Sequence, residues 1–178
     1  MKITAGKNKG KILTEFKLST TRPTSELVRQ ALFDTLGNDL SNLVFLDLFG
    51  GTGAVACEAV SRNVERVYVV DNNKESISII NKNVSLIKAK NVNVIMNNYE
   101  KALKFFNDNN IKFDIIFIDP PYATDFAEKS IDYIFENKLL NSGGCIIWEH
   151  DKTKLDVLNN YNVIKTKKYG IKYLSIIK

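Results

Sequence analysis

Asp119-Pro120-Pro121-Tyr122 sets a carboxylate, two prolines and an aromatic ring side by side, directly after the apolar run Asp114 to Ile118. Neither proline can donate to a β-ladder, so the pair belongs just past a strand's end, where it forms a rigid, extended rim. These residue types suit one kind of chemistry. An exocyclic amine on a nucleic-acid base is a poor nucleophile because its lone pair is delocalised into the ring. The Asp119 carboxylate and a carbonyl of the diproline backbone can each accept one amine hydrogen. That draws the nitrogen toward tetrahedral geometry and aims its lone pair. Tyr122 can stack on the extracted base, a contact worth about 1–3 kcal/mol on aromatic platforms. Asp119 is also the nearest acceptor for the proton that the amine sheds. In isolation the tetrapeptide is only a turn; its position relative to a second motif gives it weight.

That second motif is Asp47-Leu48-Phe49-Gly50-Gly51-Thr52-Gly53, which follows the apolar run Val44 to Leu48 and leads into an apolar helix. Glycines at the carboxyl end of a strand let the backbone turn sharply and approach a ligand closely. Asp71, 20 residues after Gly51, ends the next apolar run. A carboxylate there can accept hydrogen bonds from both ribose hydroxyls of an adenosine, with Asn72 beside it. Gly51, Gly53 and Ala56 also satisfy a loose dinucleotide fingerprint. Asp47 argues for a different ligand, because a carboxylate repels a pyrophosphate and suits the ammonium and sulfonium of S-adenosylmethionine.

The elements that must position these residues alternate in type. Val44 to Leu48, Val67 to Asp71, Val92 to Met96, Asp114 to Ile118 and a run beginning at Gly144 to Glu149 read as strands buried on both faces. Between them, Ile77, Ile80, Val84 and Ile87 fall on one helical face, as do Ala127, Ile131, Ile134 and Lys138. Asp125 and Glu128 have capping-box spacing. Leu103 and Phe106 mark a helix within Tyr99 to Asn109, and Val28, Ala31, Leu32 and Leu36 one that starts after Pro23-Thr24. Asn162 to Tyr169 and Ile171 to Ile177 read as an antiparallel hairpin turning at Gly170. The pattern predicts a doubly wound α/β domain with a mainly parallel sheet.

The 178 residues, 44% hydrophobic and 25% charged, are enough for one such domain. No apolar run is long enough to span a membrane, and the N-terminus lacks the apolar core of a signal peptide. Cys57 and Cys145 have no metal-ligand spacing and read as buried thiols, which points to the cytoplasm and to no metal. The net charge of +5 resides entirely in residues 1–30, which hold seven basic and two acidic side chains. A basic segment on a neutral domain suits a polyanion, although a solvated lysine-rich terminus has the same composition.

The chain resembles the bacterial small-subunit ribosomal RNA guanine-N2 methyltransferases of the RsmD type over essentially its full length. The resemblance runs through Ile3-Thr4-Ala5-Gly6, Gly10, Arg22-Pro23-Thr24, Val28-Arg29, Leu32-Phe33, the glycine loop and Asp119-Pro120-Pro121-Tyr122. It implies a Rossmann-like class I methyltransferase domain over 1–178, with a seven-stranded sheet and a basic RNA-binding extension over 1–40. It implies S-adenosylmethionine as donor and a guanine of 16S ribosomal RNA as target, presented by an assembling small subunit; nothing in the sequence demands more than a monomer. Asn98 is then expected near the adenine ring. Tyr99 stands where a small residue is common, and Tyr122 where phenylalanine is frequent. Lys7, Lys9, Lys11, Arg22 and Arg29 would track the RNA backbone, with Arg22 and Thr24 bordering base entry.

Other readings stay open on the residues alone: an adenine-N6 or cytosine-N4 methyltransferase, a dinucleotide-dependent oxidoreductase, or a non-catalytic nucleotide-binding module. His150, the only histidine, has no evident catalytic partner and reads as structural. Trp148 reads as core, Glu149 as able to approach the cleft, and Lys165, Lys167 and Lys168 as a solvated edge.

Overall fold

The computed structural model describes residues 1–16, 26–37, 39–121 and 123–178. The β-branched and aromatic runs form β1 (Val44–Asp47), β2 (Arg66–Asp71), β3 (Val92–Met96), β4 (Phe113–Ile118), β5 (Leu140–His150), β6 (Val163–Tyr169) and β7 (Lys172–Ile177). These make one sheet in the order β3-β2-β1-β4-β5-β7-β6. β1 to β5 pair in parallel, and β7 inserts antiparallel between β5 and β6. The expected hairpin is therefore present. Strand order reverses at β1, which lies between β2 and β4. Chain leaving β1 and β4 opens a crevice at this switch point, the usual ligand position in such sheets.

Among the described residues, five α-helices cover the sheet: α1 (Glu26–Leu36), α2 (Ala54–Ser61), α3 (Lys74–Leu86), α4 (Tyr99–Asp108) and α5 (Phe126–Glu136). Alternate strand residues face two separate cores, as a pleat of period two requires. Phe45, Val67, Val69, Phe117 and Ile147 pack with Leu32 and Phe33 of α1, Val55 and Ala59 of α2, and Ile80 of α3. Leu46, Val70, Ile116, Ile118 and Trp148 pack with Leu103 and Phe106 of α4 and Ile131 and Ile134 of α5. No helix among the described residues is long and apolar enough to cross a membrane.

Local expectations fail where charge or backbone competes. α5 stops at Glu136, and Lys138 takes a left-handed φ of 51° instead of continuing the helical face. The Asp125–Glu128 capping box does not form. Asp125 pairs with Lys129 at 2.9 Å, and Glu128 pairs with Lys154. Each carboxylate takes an ammonium partner, and the Asp125 side chain caps no backbone amide. Cys57 is buried but Cys145 only half-buried, and both are free thiols.

The N-terminal residues fold back as a short hairpin bridged at Lys2 and Ile12, with Ile3 N donating to Lys11 O at 3.0 Å and Leu13 N to Met1 O at 2.8 Å. Glu58 of α2, fully buried, anchors it. Its carboxylate accepts from Thr4 N (3.0 Å), Thr4 Oγ1 (2.6 Å) and Ala5 N (3.0 Å), and pairs with Arg29 (3.2 Å) and Arg62 (3.4 Å). Gly6 lies so close to α2 that a Cβ there would meet Ser61 O at 1.8 Å, and its φ of +76° favours glycine as well.

This arrangement corrects the expectation for Arg29. Its side chain is fully buried, bonded to Glu58 and to Lys2 O at 2.6 Å, so it cannot reach an RNA backbone. Removing one partner of a buried ion pair leaves uncompensated charge, and here it would leave two guanidiniums. Glu58→Ala should lower the unfolding free energy by about 3–5 kcal/mol in urea titration. A loss of under about 1 kcal/mol, the range of an exposed pair, would refute the anchoring role.

Candidate active site

The crevice is built from strand ends. Asp47 ends β1, Asp71 ends β2, and Asp119 follows β4. β1 pairs with both neighbours in register, Asp47 opposite Val69 on one side and Phe117 on the other. The three carboxylates therefore converge at the switch point. Glu149 lies near the end of β5, next to β4. It is buried and bonded at 2.6 Å to Lys172 of β7, whose ammonium also lies 3.9 Å from Asp119 Oδ1. Lys172 carried no signal in the sequence: only the antiparallel insertion of β7 brings a residue from that strand's start to this edge.

Asp47 is 1% exposed, and its Oδ2 has no hydrogen-bond partner. Burial, together with the charges of Asp119 and Asp71, pushes its carboxyl up to about 8, although backbone amides of Ala56 and Phe49 favour the ionised form. Among the described residues, no cationic side chain pairs with Asp47. The glycine loop offers the space. Gly51 has a left-handed φ of +54°, and a Cβ there would have nothing within 4 Å. Its amide donates to Asp71 Oδ2 at 2.8 Å, and Asp71 Oδ1 accepts from Asn73 N at 2.8 Å. Asp71 thus ties the loop to the end of β2. Gly50 and Gly51 are partly exposed, while Thr52 and Gly53 are buried beneath them.

At the far side of the crevice Asn98 caps α4, its Oδ1 accepting from Lys101 N at 2.8 Å. Tyr99 is buried in a row of rings, 5.7 Å from Phe49 and 5.0 Å from Phe126 between centroids. Burial and Glu100 push its hydroxyl up to about 12. Phe49 remains half-exposed and Asn72 exposed.

The diproline rim is clamped from below. Thr124 Oγ1 donates to Pro121 O at 2.8 Å, and Lys154 Nζ donates to Thr124 O at 2.9 Å while pairing with Glu128. Pro120 is half-buried and Pro121 exposed. Tyr122, Arg22 and Thr24 lie outside the described residues. Lys7, Lys9 and Lys11 are exposed on the hairpin. His150 is structural: its Nδ1 lies 2.8 Å from Asp151 O and its Nε2 2.8 Å from Ser175 Oγ. A carbonyl only accepts, so Nδ1 donates and Nε2 accepts. Burial lowers the imidazole's basicity. Trp148 is core, and the strand carrying Lys165, Lys167 and Lys168 is exposed from Ile164 to Lys168.

The family model described as conserved hypothetical protein 95 matches residues 1–178. The chain belongs to that family. The ribosomal RNA small subunit methyltransferase D of Haemophilus influenzae is 30% identical over 96% of this chain and 90% of its own length. The protein of the same name from Buchnera aphidicola is 30% identical over 93% and 86%. A Thermus thermophilus hypothetical protein of solved structure superposes with a TM-score of 0.86 at 26% identity, covering 100% of this chain and 99% of that one. This is the RsmD family that the sequence resembles. The N-terminal residues that carry that resemblance, Thr4, Ala5 and Gly6, are those that wrap Glu58 and Ser61.

The raised carboxyl of Asp47 makes stability depend on pH. The folded protein holds a proton that the unfolded chain, with a value near 3.8, has released. Asp47 therefore costs more stability as pH rises from that value to about 8. Asp47→Asn should raise the thermal midpoint of the ligand-free protein more at pH 8 than at pH 4, read by calorimetry. Equal shifts at both pH values would count against a proton held on Asp47.

Proposed function

We propose that this chain transfers a methyl group from S-adenosylmethionine to the exocyclic N2 amine of a guanine in 16S ribosomal RNA, within a small-subunit particle. One observation carries the reading: the unpartnered, buried Oδ2 of Asp47 and the open Gly51 turn lie at the same end of the sheet, at the switch point, as the Asp119-Pro120-Pro121 rim. The names of the family relatives support the RNA substrate, and the RsmD resemblance supports guanine N2. A dinucleotide fits poorly, since its pyrophosphate would lie among Asp47, Asp71 and Asp119.

When bound, S-adenosylmethionine supplies an electrophilic methyl group. Asp47 would hold the donor's ammonium. Asp71, with both oxygens already steadied by backbone amides, keeps lone pairs for ribose hydroxyls. Phe49, Gly50, Thr52 and Gly53 shape the loop, and Asn72, Asn98 and Tyr99 are assigned to the adenosine end. Asp119 accepts one hydrogen of the target amine. Thr124 engages the Pro121 carbonyl, so the Pro120 carbonyl takes the second. Asp119 then receives the amine's proton. Tyr122 is assigned to stacking on the base. The residues act chiefly by positioning and by charge placed before the reaction.

Incubation with methyl-labelled donor and under-methylated small ribosomal subunits, followed by nucleoside analysis, should give N2-methylguanosine. Asp119→Ala should reduce kcat by about 100-fold or more. Label in adenosine or cytidine would keep the reaction and replace the target base; no label, with the donor bound, would sink the proposal.

Lys7, Lys9 and Lys11, with Arg22, are proposed to contact RNA phosphates, and Thr24 to border base entry. Replacing the three lysines with glutamine should weaken subunit binding and flatten its salt dependence by about 0.7–0.9 logarithmic units per lost contact. An unchanged slope would remove the hairpin from the interface.

A further inference from the structure

Asn83 lies in α3, fully buried, on the helix face that it shares with Ser76, Ile79 and Ile80. A primary amide in such a place is costly unless its groups are bonded. Here they are bonded to two distant parts of the chain. Oδ1 accepts from Thr14 N at 2.7 Å, and Nδ2 donates to Thr14 O at 3.1 Å. The amide thus pairs with both backbone groups of Thr14 as a neighbouring strand would. The second hydrogen of Nδ2 goes to Thr52 O at 2.8 Å, inside the glycine loop. An aliphatic side chain would fill the space but make none of these bonds. A carboxylate would lack both donors.

The two partners belong to different ligands under the function proposed above, on which this inference rests. Thr52 lies in the loop that would receive the donor. Thr14 leaves the basic hairpin and leads toward Arg22 and Thr24. The hairpin's other strand is held separately, through Glu58 and Ser61 of α2. Asn83 is therefore a direct polar bridge between the glycine loop and the chain that follows the N-terminal hairpin. We infer that Asn83 is a positioning residue that couples donor binding at the glycine loop to RNA binding at the N-terminal arm. A ligand that fixes the Thr52 carbonyl fixes the orientation of the amide, and the amide sets the backbone of Thr14. The coupling is reciprocal, so the RNA must raise donor affinity by the same factor that the donor raises RNA affinity.

The test is filter binding of under-methylated small ribosomal subunits with and without saturating S-adenosylhomocysteine. In the wild type this product should tighten subunit binding by about 5-fold or more, the lower end of typical allosteric factors. In Asn83→Ala that ratio should collapse to one, whatever the absolute affinities become; a merely structural role would change the affinities and keep the ratio. A ratio that survives the substitution overturns the inference. If the variant does not fold, amide hydrogen exchange of the wild type decides: S-adenosylhomocysteine should slow exchange at Thr14, and unchanged exchange overturns the coupling. A wild type that methylates subunits with a ratio of one defeats this inference alone, whereas a wild type that fails to methylate them defeats the proposed function and the coupling with it.

Discussion

Three adjacent parallel strands, β1, β2 and β4, deliver an aspartate each to one end of the sheet, and the central aspartate is buried. Asp47 is surrounded by protein, flanked by like charges, and left with one oxygen unbonded. Packed cores on both faces hold the strands in register, so the carboxylates cannot separate to relieve the repulsion. The glycine loop, the Asp71 clamp and the diproline rim are arranged around that repulsion. A ligand that brings positive charge relieves it, and one that brings phosphate aggravates it. The selectivity of the crevice thus begins with a solvation problem that the fold creates.

The N-terminal hairpin shows a second use of buried charge. Glu58 and its two arginines lie inside the protein, where an unpaired member would be severely penalised. The hairpin supplies backbone and hydroxyl donors that complete the carboxylate's shell. It is attached to the domain by the need to satisfy that charge as much as by the burial of Ile3 and Leu13. The guanidinium of Arg62 also lies 5.0 Å from the Phe33 ring centroid, which joins the network to the apolar core.

Much of this was legible in the sequence because the signals were local. Continuous apolar runs marked the strands, and the glycine loop and diproline motif marked two strand ends at the switch point. What stayed hidden depends on partners far apart in the chain. Arg29 counts as one more basic residue until Glu58 is seen beneath it. Asn83 looks like any polar residue of a helix until Thr14 and Thr52 approach from either side. Lys172 belongs to an edge hairpin by composition, and only sheet order puts it beside Asp119. The Asp125–Glu128 spacing suggested a cap, but spacing says nothing of Lys129 and Lys154, which take both carboxylates.

The antiparallel course of β7 decides which of its residues reaches the crevice. Parallel strands all finish at the crevice, so each can offer only the residues at its end. β7 instead starts there. Its first residue, Lys172, is thereby set against Glu149 and beside Asp119. A parallel β7 would have carried that ammonium to the opposite end of the sheet. The reversal of one strand thus imports a cation into a row of strand-end carboxylates.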